Sequence, residues 1–297
     1  MSIFIDENTR VVVQGIGSQG TFHANRNLQY GTKIVAGTHP KKGGTTWEPL
    51  GVPVLGTVAE AVANEGANTA MVMVPAPFTK AAILEAFHAG IETIIAITEG
   101  VPVHDMTEVY DTVVRNGGAR LIGPNCPGLI SPGKANVGII PADITKPGNV
   151  GLVSRSGTLT YQIMHELAQA GIGISTCVGI GGDPVIGTQF LDVIKAFAED
   201  DETTAIAFVG EIGGSEEQKA GQWIAANIPD TPVVGYIAGF EAPVGKQMGH
   251  AGALVKEGGS GGESAADKKA FLGDLGIPVA INPSEAAELM IKRLQQA

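Results

Sequence analysis

Residues Val11–Gly20 read VVVQGIGSQG, and they give the clearest indication of the fold. The β-branched valines predict a buried strand, and the three glycines form a G-x-G-x-x-G turn that leads into the helix-like segment TFHANRNLQYG. Such a turn lets the backbone approach a phosphate, and the following helix offers free N–H groups and a positive dipole end. The stretch predicts a phosphate-binding strand–turn–helix unit; a tight turn without a ligand is the alternative.

Short apolar runs alternate with amphipathic or alanine-rich stretches along the whole chain. Examples of the runs are KIVAGT, TAMVMVP, TAIAFVGEIGG and AGALVKEGG, whereas VAEAVANEG and TKAAILEAFHAG are helix-like segments that close on glycine. Runs this apolar suit strands buried on both faces, so the pattern predicts doubly wound parallel α/β sheets. The proline- and glycine-rich residues 127–148 interrupt the alternation and predict a connection between domains at 1–126 and 149–297.

The composition limits the kind of protein this chain can be. It has 297 residues, 44% of them apolar, which is enough for two domains with sizeable cores. A net charge of −11 and only 5% aromatic residues argue against nucleic acid or an anionic membrane as a partner. We expect Cys126 and Cys177 to be reduced and buried. The chain opens without a secretory leader and has no apolar run of the ~20 residues that span a bilayer, so we expect a cytoplasmic protein.

A G-x-G-x-x-G turn is typical of NAD-binding domains, and the end of the second predicted strand tests whether this chain is one of them. NAD-binding domains place an Asp or Glu there, about 20 residues after the glycine turn, to hold a ribose hydroxyl. Here KIVAGT runs into His39–Gly44, HPKKGG, which contains no carboxylate but two lysines, Lys41 and Lys42. This favours a ligand with an additional phosphate, either NADP or coenzyme A (CoA) with its 3′-phosphate. The alternative is that the lysines form a solvated turn.

One of the six histidines, His250, stands apart from the others. It lies in MGHAGA, where small neighbours are expected to leave the imidazole uncovered, so it could serve as a ligand, a base or a nucleophile. Residues Ser154–Thr158, SRSGT, end a strand and open a helix, which makes a second phosphate cradle. Glu211 in GEIGG ends another strand and could hold one ring nitrogen of a histidine. Together these features suggest phosphoryl transfer through a phosphohistidine.

Several motifs resemble those of the α subunits of succinate–CoA ligases: SQGTFH, KGGTT, VPAPF, ITEG, IGPNCPG, SRSGTLTYQ, GIGGDP, GEIGG and MGHAGA. The resemblance covers nearly the whole chain. It implies an N-terminal Rossmann-like CoA-binding domain and a C-terminal flavodoxin-like α/β domain. It also implies that His250 is phosphorylated, that Glu211 supports it, and that Ser156 and Gly157 cradle the phosphate. Tyr161 matches a substrate-contact position, and the matching CoA-binding positions are Gly17, Ser18, Gln19, Gly20, Lys42, Ile97, Thr98 and Glu99.

The resemblance implies a reaction in three steps. A nucleoside triphosphate phosphorylates His250, succinate takes the phosphoryl group to give succinyl phosphate, and CoA displaces phosphate to give succinyl-CoA. The nearest approach to a Walker A motif, Gly239–Lys246, is followed by Gln247 where Ser or Thr belongs, so the nucleotide site must lie elsewhere. In the family, ATP or GTP with Mg²⁺ binds an ATP-grasp domain of the β subunit. An αβ or α2β2 partnership is therefore implied, and no metal is expected on this chain.

Two departures from the family pattern bear on CoA binding. The turn GIGSQG is one residue shorter than the usual G-x-T-G-x-x-G and lacks its threonine, and Lys41 replaces a glycine. Three alternatives remain open. The first is a sister ligase that acts on malate or another dicarboxylate. The second is a non-catalytic CoA-binding module, which would have no need of MGHAGA and GEIGG. The third is an NADP-dependent dehydrogenase, which the content of the second domain disfavours.

Overall fold

The computed structural model describes residues 2–255 and 262–296, which form two compact units. The N-terminal unit consists of Phe4–Ala142 with Val185–Thr188. The C-terminal unit consists of Asp143–Pro184, the described residues from Gln189 onward, and residues 2–3. Each unit contains helices and a largely parallel sheet, so the prediction of two α/β domains is confirmed.

The sheet of the N-terminal unit has the strand order of a Rossmann fold. Its strands are β1 Arg10–Gln14, β2 Lys33–Thr38, β3 Thr45–Trp47, β4 Val52–Leu55, β5 Thr69–Val72, β6 Thr93–Ala96 and β7 Arg120–Ile122. They lie in the order β3-β4-β2-β1-β5-β6-β7, and all pairs are parallel except β3 with β4. The predicted strand over the valines is central β1, whose Val11, Val12 and Val13 are fully buried. The order reverses between β1 and β5, and doubly wound sheets open a crevice at such a point.

The helices of this unit are α1 Ser18–Tyr30, α2 Val58–Glu65, α3 Ala76–His88 and α4 Val103–Val109, which continues as a π-helical turn over Tyr110–Arg115. The helix predicted from Thr21 onward is present, but α1 begins three residues earlier, at Ser18, so that the second half of the glycine turn is already helical. Gly31 and Gly66 end α1 and α2 in the left-handed conformation, at φ 106° and 64°. Glycine adopts this conformation without a steric penalty, which explains why these helices close on it.

Residues 127–148 are more regular than the sequence predicted. They contain strands β8 (Gly128–Ser131) and β9 (Ala135–Gly138), which pair as an antiparallel hairpin. A Cβ on Gly128 would lie 2.2 Å from the carbonyl oxygen of Val137, so the glycine allows the two strands to approach closely. Asn27 of α1 donates a hydrogen bond of 3.0 Å to the carbonyl of Gly138. The prediction of an irregular connection is therefore wrong for the hairpin, whose contacts place it in the N-terminal unit.

The C-terminal unit has a five-strand parallel order of the flavodoxin type. Its strands are β10 Pro147–Ser154, β11 Ile174–Gly179, β12 Ala205–Glu211, β13 Val233–Ala238 and β14 Val279–Ala280, in the order β14-β13-β12-β10-β11. Its helices are α5 Gly157–Gln169, α6 Phe190–Ala198, α7 Glu216–Asn227, α8 Ala265–Asp274 and α9 Pro283–Gln296. The strand order reverses between β10 and β12, which places a second crevice at their carboxyl ends.

Three further expectations can be compared with the structure. The strand predicted over AGALVKEGG is wrong for residues 251–255, which form a turn and irregular chain; residues 256–259 lie outside the described ranges. Cys126 and Cys177 are buried and in no disulfide, as predicted. Within residues 2–255 and 262–296, no helix combines the length and the apolar character that a membrane span requires.

Candidate active site

The carboxyl ends of β10 and β12 bring together the predicted catalytic groups of the C-terminal unit. Glu211 is the last residue of β12, and its side chain is 9% exposed. The β10 residue Ser154 pairs with Val209 of β12, so the strand end that leads to Ser156 lies beside the one that carries Glu211. His250 reaches the same place from the loop after β13, and its Nδ1 lies 2.7 Å from Oε2 of Glu211. The structure thus joins two residues that stand 39 positions apart in the sequence.

The imidazole of His250 is held on two sides. Glu211 lies at its Nδ1 edge, and the backbone of Gly182, just after β11, lies against the ring. A Cβ on Gly182 would be 2.3 Å from Cδ2 and 2.4 Å from Nε2, so no side chain fits there without displacing the ring. The side chain of His250 is 25% exposed. The prediction of an uncovered imidazole is therefore only partly right, because Gly182 of the motif GIGGDP covers part of the ring, and the local sequence pattern does not show this contact.

The charges around His250 set its proton affinity. The hydrogen bond with Glu211 raises the pKa of His250 above its ordinary 6.5, although partial burial acts in the opposite direction. The charge of Glu211 and that of Asp183 add to the increase, whereas Arg155 lowers the pKa. With Nδ1–H donated to Glu211, the neutral ring keeps its lone pair on Nε2. A nucleophile is therefore available at Nε2, in a fraction that grows as the pH rises through this pKa.

Arg155 completes the charge arrangement around Glu211. Its Nε lies 3.6 Å from Oε1 of Glu211, which is close enough for an ion pair but too long for a hydrogen bond. Neither of these two buried atoms has a hydrogen-bond partner among the described residues. Arg155 thus stabilises the Glu211 carboxylate through charge alone. This arginine lies within the motif SRSGT, but no role could be predicted for it, because nothing in the local pattern shows where its guanidinium points.

The predicted phosphate cradle lies at the start of α5. Ser156 is the N-cap residue, and its hydroxyl accepts a hydrogen bond of 3.3 Å from the backbone of Leu159. Gly157 is the first helical residue, and a Cβ there would meet no heavy atom within 4 Å. The first N–H groups of a helix have no acceptor within the helix, and they favour an anion. Tyr161 follows one turn later on the same helix.

A cleft of about 680 Å³ opens at the crevice of the N-terminal unit. It lies at the carboxyl ends of β1, β2 and β5, and it contains both apolar groups and a lysine. Its lining residues are Gln14, Gly15, Ile16, Gly17, Thr38, His39, Pro40, Lys41, Val74, Pro75, Phe78, Ala81, Ala82 and Glu85. The one carboxylate among them, Glu85, is already bonded, since its oxygens accept from Gln14 Nε2 at 3.1 Å and from the Val58 backbone at 3.0 Å. An apolar wall beside a cation suits an adenine nucleotide with an additional phosphate.

The predicted CoA-binding residues occupy different positions relative to this cleft. Gly17 lines it, and Ser18, Gln19 and Gly20 form the first turn of α1 behind it. Lys41 lines the cleft, whereas Lys42 lies next to the lining residues and is exposed. The other three predicted residues follow β6: Ile97, Thr98 and Glu99. The hydroxyl of Thr98 donates a hydrogen bond of 2.7 Å to the carbonyl of Val74 in the cleft wall.

The glycines of the turn serve packing as well as ligand access. A Cβ on Gly20 would lie 1.8 Å from the carbonyl oxygen of Gly15, so only glycine fits at this position in the first turn of α1. Gly15 itself has φ +109° and lies against the backbone of Met73 and Val74. Gly17, in contrast, has open space around its Cβ position. The shortened turn therefore needs Gly15 and Gly20 for close backbone contacts, whereas Gly17 lines the cleft with open space at its Cβ position.

Comparison with known proteins gives consistent results over the whole chain. Residues 6–100 match the model of the CoA binding domain, and residues 153–273 match that of the CoA-ligase family. The chain is 55% identical over 295 residues to the ADP-forming succinate–CoA ligase subunit alpha 2 of Archaeoglobus fulgidus, covering 99% of this chain and 100% of that protein. It is 51% identical to the corresponding subunit alpha of Staphylococcus aureus, covering 100% of this chain and 96% of that one.

Solved structures show the same fold at lower identity. The ATP citrate lyase of Methanothrix soehngenii, solved with citrate and coenzyme A, aligns with a TM-score of 0.88 at 24% identity. The match covers 99% of this chain and 51% of that one, so the chain spans about half the length of the lyase. At this identity the similarity shows the shared architecture alone.

We predict that Gly182→Ala displaces the imidazole and lowers the pKa of His250. The hydrogen bond with Glu211 is the largest influence that raises this pKa, and without it burial and Arg155 still act to lower the pKa. An NMR titration of the His250 ring protons measures the change. The matched control is Gly252→Ala, whose new Cβ meets no heavy atom within 4 Å and should leave the pKa unaltered. A pKa that is the same in all three proteins would contradict this geometry.

Proposed function

The chain belongs to the family of succinate–CoA ligase α subunits, and from that premise we propose that His250 carries the phosphoryl group between nucleotide and succinate. The family's activity is the nucleotide-dependent formation of succinyl-CoA from succinate and CoA, an acid–CoA ligase reaction. The relatives are named for succinate and for ADP formation, so the reading as a malate ligase is not favoured. The observation that carries the proposal is the 2.7 Å contact between His250 Nδ1 and Glu211 Oε2.

The first step uses His250 as a nucleophile. The lone pair of Nε2 attacks the γ-phosphorus of the nucleotide, an N–P bond forms, and the P–O bond to the leaving nucleoside diphosphate breaks. Positive charge develops on the imidazole during this attack, and the Glu211 carboxylate on the opposite ring nitrogen stabilises it. Only the neutral ring has the required lone pair, so the rate should rise with pH through the pKa of His250.

The start of α5 stabilises the phosphoryl group while it is bound and while it leaves. The N–H group of Gly157 and the hydroxyl of Ser156, with the positive end of the helix, are suited to hold its oxygens, whereas the N–H of Ser156 donates to Oγ of Ser154. A carboxylate oxygen of succinate then attacks the phosphorus, and the N–P bond breaks to give succinyl phosphate and neutral His250. We assign Tyr161 to the succinate contact from the family motif. CoA, when bound, supplies the thiol that forms the thioester.

We place CoA in the N-terminal cleft. The apolar side chains of Ile16, Val74 and Phe78 suit the adenine ring, and Gly17 allows a phosphate to approach the backbone at the start of α1. The turn that holds Lys41 and Lys42 suits the 3′-phosphate. From the family motifs we also assign Ser18, Gln19, Gly20, Ile97, Thr98 and Glu99 to this ligand.

A second subunit is required to bind the nucleotide. This chain matches α subunits, and its sequence has no Walker A motif. We propose a β subunit that holds ATP or GTP with Mg²⁺ in an ATP-grasp domain, in an αβ or α2β2 assembly. The cytoplasmic location expected from the sequence stays a prediction.

We predict that the complex with the β subunit, incubated with γ-labelled nucleotide, acquires an acid-labile, base-stable label on this chain, and that His250→Asn abolishes it. Loss of the nucleophile should reduce labelling by at least about 100-fold. The matched control is His165→Asn, which alters an exposed histidine of α5 and should leave labelling intact. Retention of the label in His250→Asn would exclude the proposed carrier.

We predict that Lys42→Ala and Lys41→Ala each weaken binding of CoA and leave binding of dephospho-CoA unchanged, because only CoA has the 3′-phosphate. For an exposed ion pair the expected loss is about 2- to 5-fold in Kd, measured by calorimetry at low salt. Lys33→Ala, at the opposite end of β2, is the control. Unchanged CoA affinity in both variants would place the 3′-phosphate elsewhere.

A further inference from the structure

A buried ion pair lies directly behind the strand end that carries Glu211. Lys268 of α8 is fully buried, and Glu217 of α7 is 1% exposed. The Lys268 ammonium donates to Oε2 of Glu217 and, at 2.7 Å each, to the carbonyl oxygens of Glu211 and Gly213. An ammonium has three N–H donors, so all of them are used inside the protein.

The Glu217 carboxylate of the ion pair also contacts the backbone of Glu211. Oε1 of Glu217 accepts a hydrogen bond of 3.1 Å from the backbone N–H of Glu211. The backbone N–H and C=O of Glu211 are thus both held by the ion pair. A Cβ on Gly210 would lie 2.5 Å from Oε1 of Glu217, so the preceding glycine lets the carboxylate approach the strand.

The pair also contacts the segment that borders the histidine loop. Lys268 binds the carbonyl of Gly213, and a Cβ on Gly213 would lie 2.1 Å from the carbonyl oxygen of Gly252, two residues after His250. The backbone that the ion pair fixes therefore lies against the chain that carries the imidazole. A displacement of residues 211–213 would move the carboxylate and the histidine loop relative to each other.

Stability alone gives a weak account of such a pair. Removing two charges from water is unfavourable, and apolar replacements of buried pairs are often neutral or stabilising. What distinguishes this pair is the position of its hydrogen bonds. Three of them are made to backbone atoms of Glu211 and Gly213, and the Glu211 side chain is 2.7 Å from His250.

We infer that Lys268 and Glu217 are positioning residues, which fix the Glu211 carboxylate at Nδ1 of His250 and so support phosphoryl transfer through this histidine. The inference rests on the proposed function of His250. The charged groups that act on the imidazole are Glu211, Arg155 and Asp183, and the ion pair acts only through the first. Without the pair the Glu211–His250 bond loosens, and the pKa of His250 falls.

The test replaces both charges together, because a single substitution would leave an uncompensated buried charge and could prevent folding. The variant is Lys268→Met/Glu217→Leu, which keeps apolar side chains of similar length in the core. The matched control is Lys219→Met/Glu216→Leu, which removes a Lys–Glu pair on α7 whose side chains are 60% and 30% exposed. All proteins are assayed in complex with the β subunit after their thermal unfolding has been measured.

Two readouts separate positioning from folding. The first is the rate of His250 labelling by γ-labelled nucleotide as a function of pH. The core variant should show a plateau lower by about 10- to 100-fold, as expected for a misplaced catalytic group, and an acidic limb shifted to lower pH. The control should match the parent protein. The second readout is the pKa of His250 by NMR, which should fall in the core variant alone.

The outcomes are distinguishable. A core variant with lower thermal stability but an unchanged pH profile and an unchanged His250 pKa would overturn the inference and leave a purely structural pair. If the parent protein takes no label on His250, the proposed function fails, and the NMR pKa alone then decides whether the ion pair positions Glu211.

Discussion

The hydrogen bond between Nδ1 of His250 and the carboxylate of Glu211 is the interaction on which the candidate active site depends. It fixes which ring nitrogen carries the proton, it stabilises positive charge on the ring, and it leaves Nε2 as the nucleophile. The surroundings serve this contact. Gly182 gives the ring a flat surface, Arg155 stabilises the carboxylate by its charge, and the helix N-terminus at Ser156 offers N–H groups to a phosphoryl group.

The candidate sites of the two units lie at equivalent positions of their sheets. In each, the candidate site lies at the carboxyl ends of the strands where the strand order reverses, between β1 and β5 in one and between β10 and β12 in the other. In each, a helix begins directly after the first of these strands and directs its N-terminus at the crevice. One crevice has an apolar wall with a lysine, suited to a CoA nucleotide, and the other has a histidine–carboxylate pair, suited to phosphoryl transfer.

Much of this could be predicted from the sequence, because it depends on local pattern. Each of the useful signals lies within a few residues: the valines before the glycine turn, the missing carboxylate after β2, and the motif MGHAGA. Contacts between distant residues could not be predicted in this way. The approach of Gly182 to the imidazole, the direction of Arg155 and the burial of Lys268 depend on tertiary packing. The hairpin within residues 127–148 was missed because its glycines, needed for close strand contact, also typify irregular connections.

Glu211 is hydrogen-bonded to Nδ1 of His250, and in our proposal this leaves Nε2 to carry the phosphoryl group. The most direct test is to phosphorylate the complex, hold it at alkaline pH, and identify the bonded nitrogen by correlating the phosphorus signal with the two ring protons in an NMR spectrum. The geometry predicts a phosphoryl group on Nε2. Its phosphorus then couples to the ring protons on both Cδ2 and Cε1. A phosphoryl group on Nδ1, or on any other residue, would rule out Nε2 of His250 as the carrier.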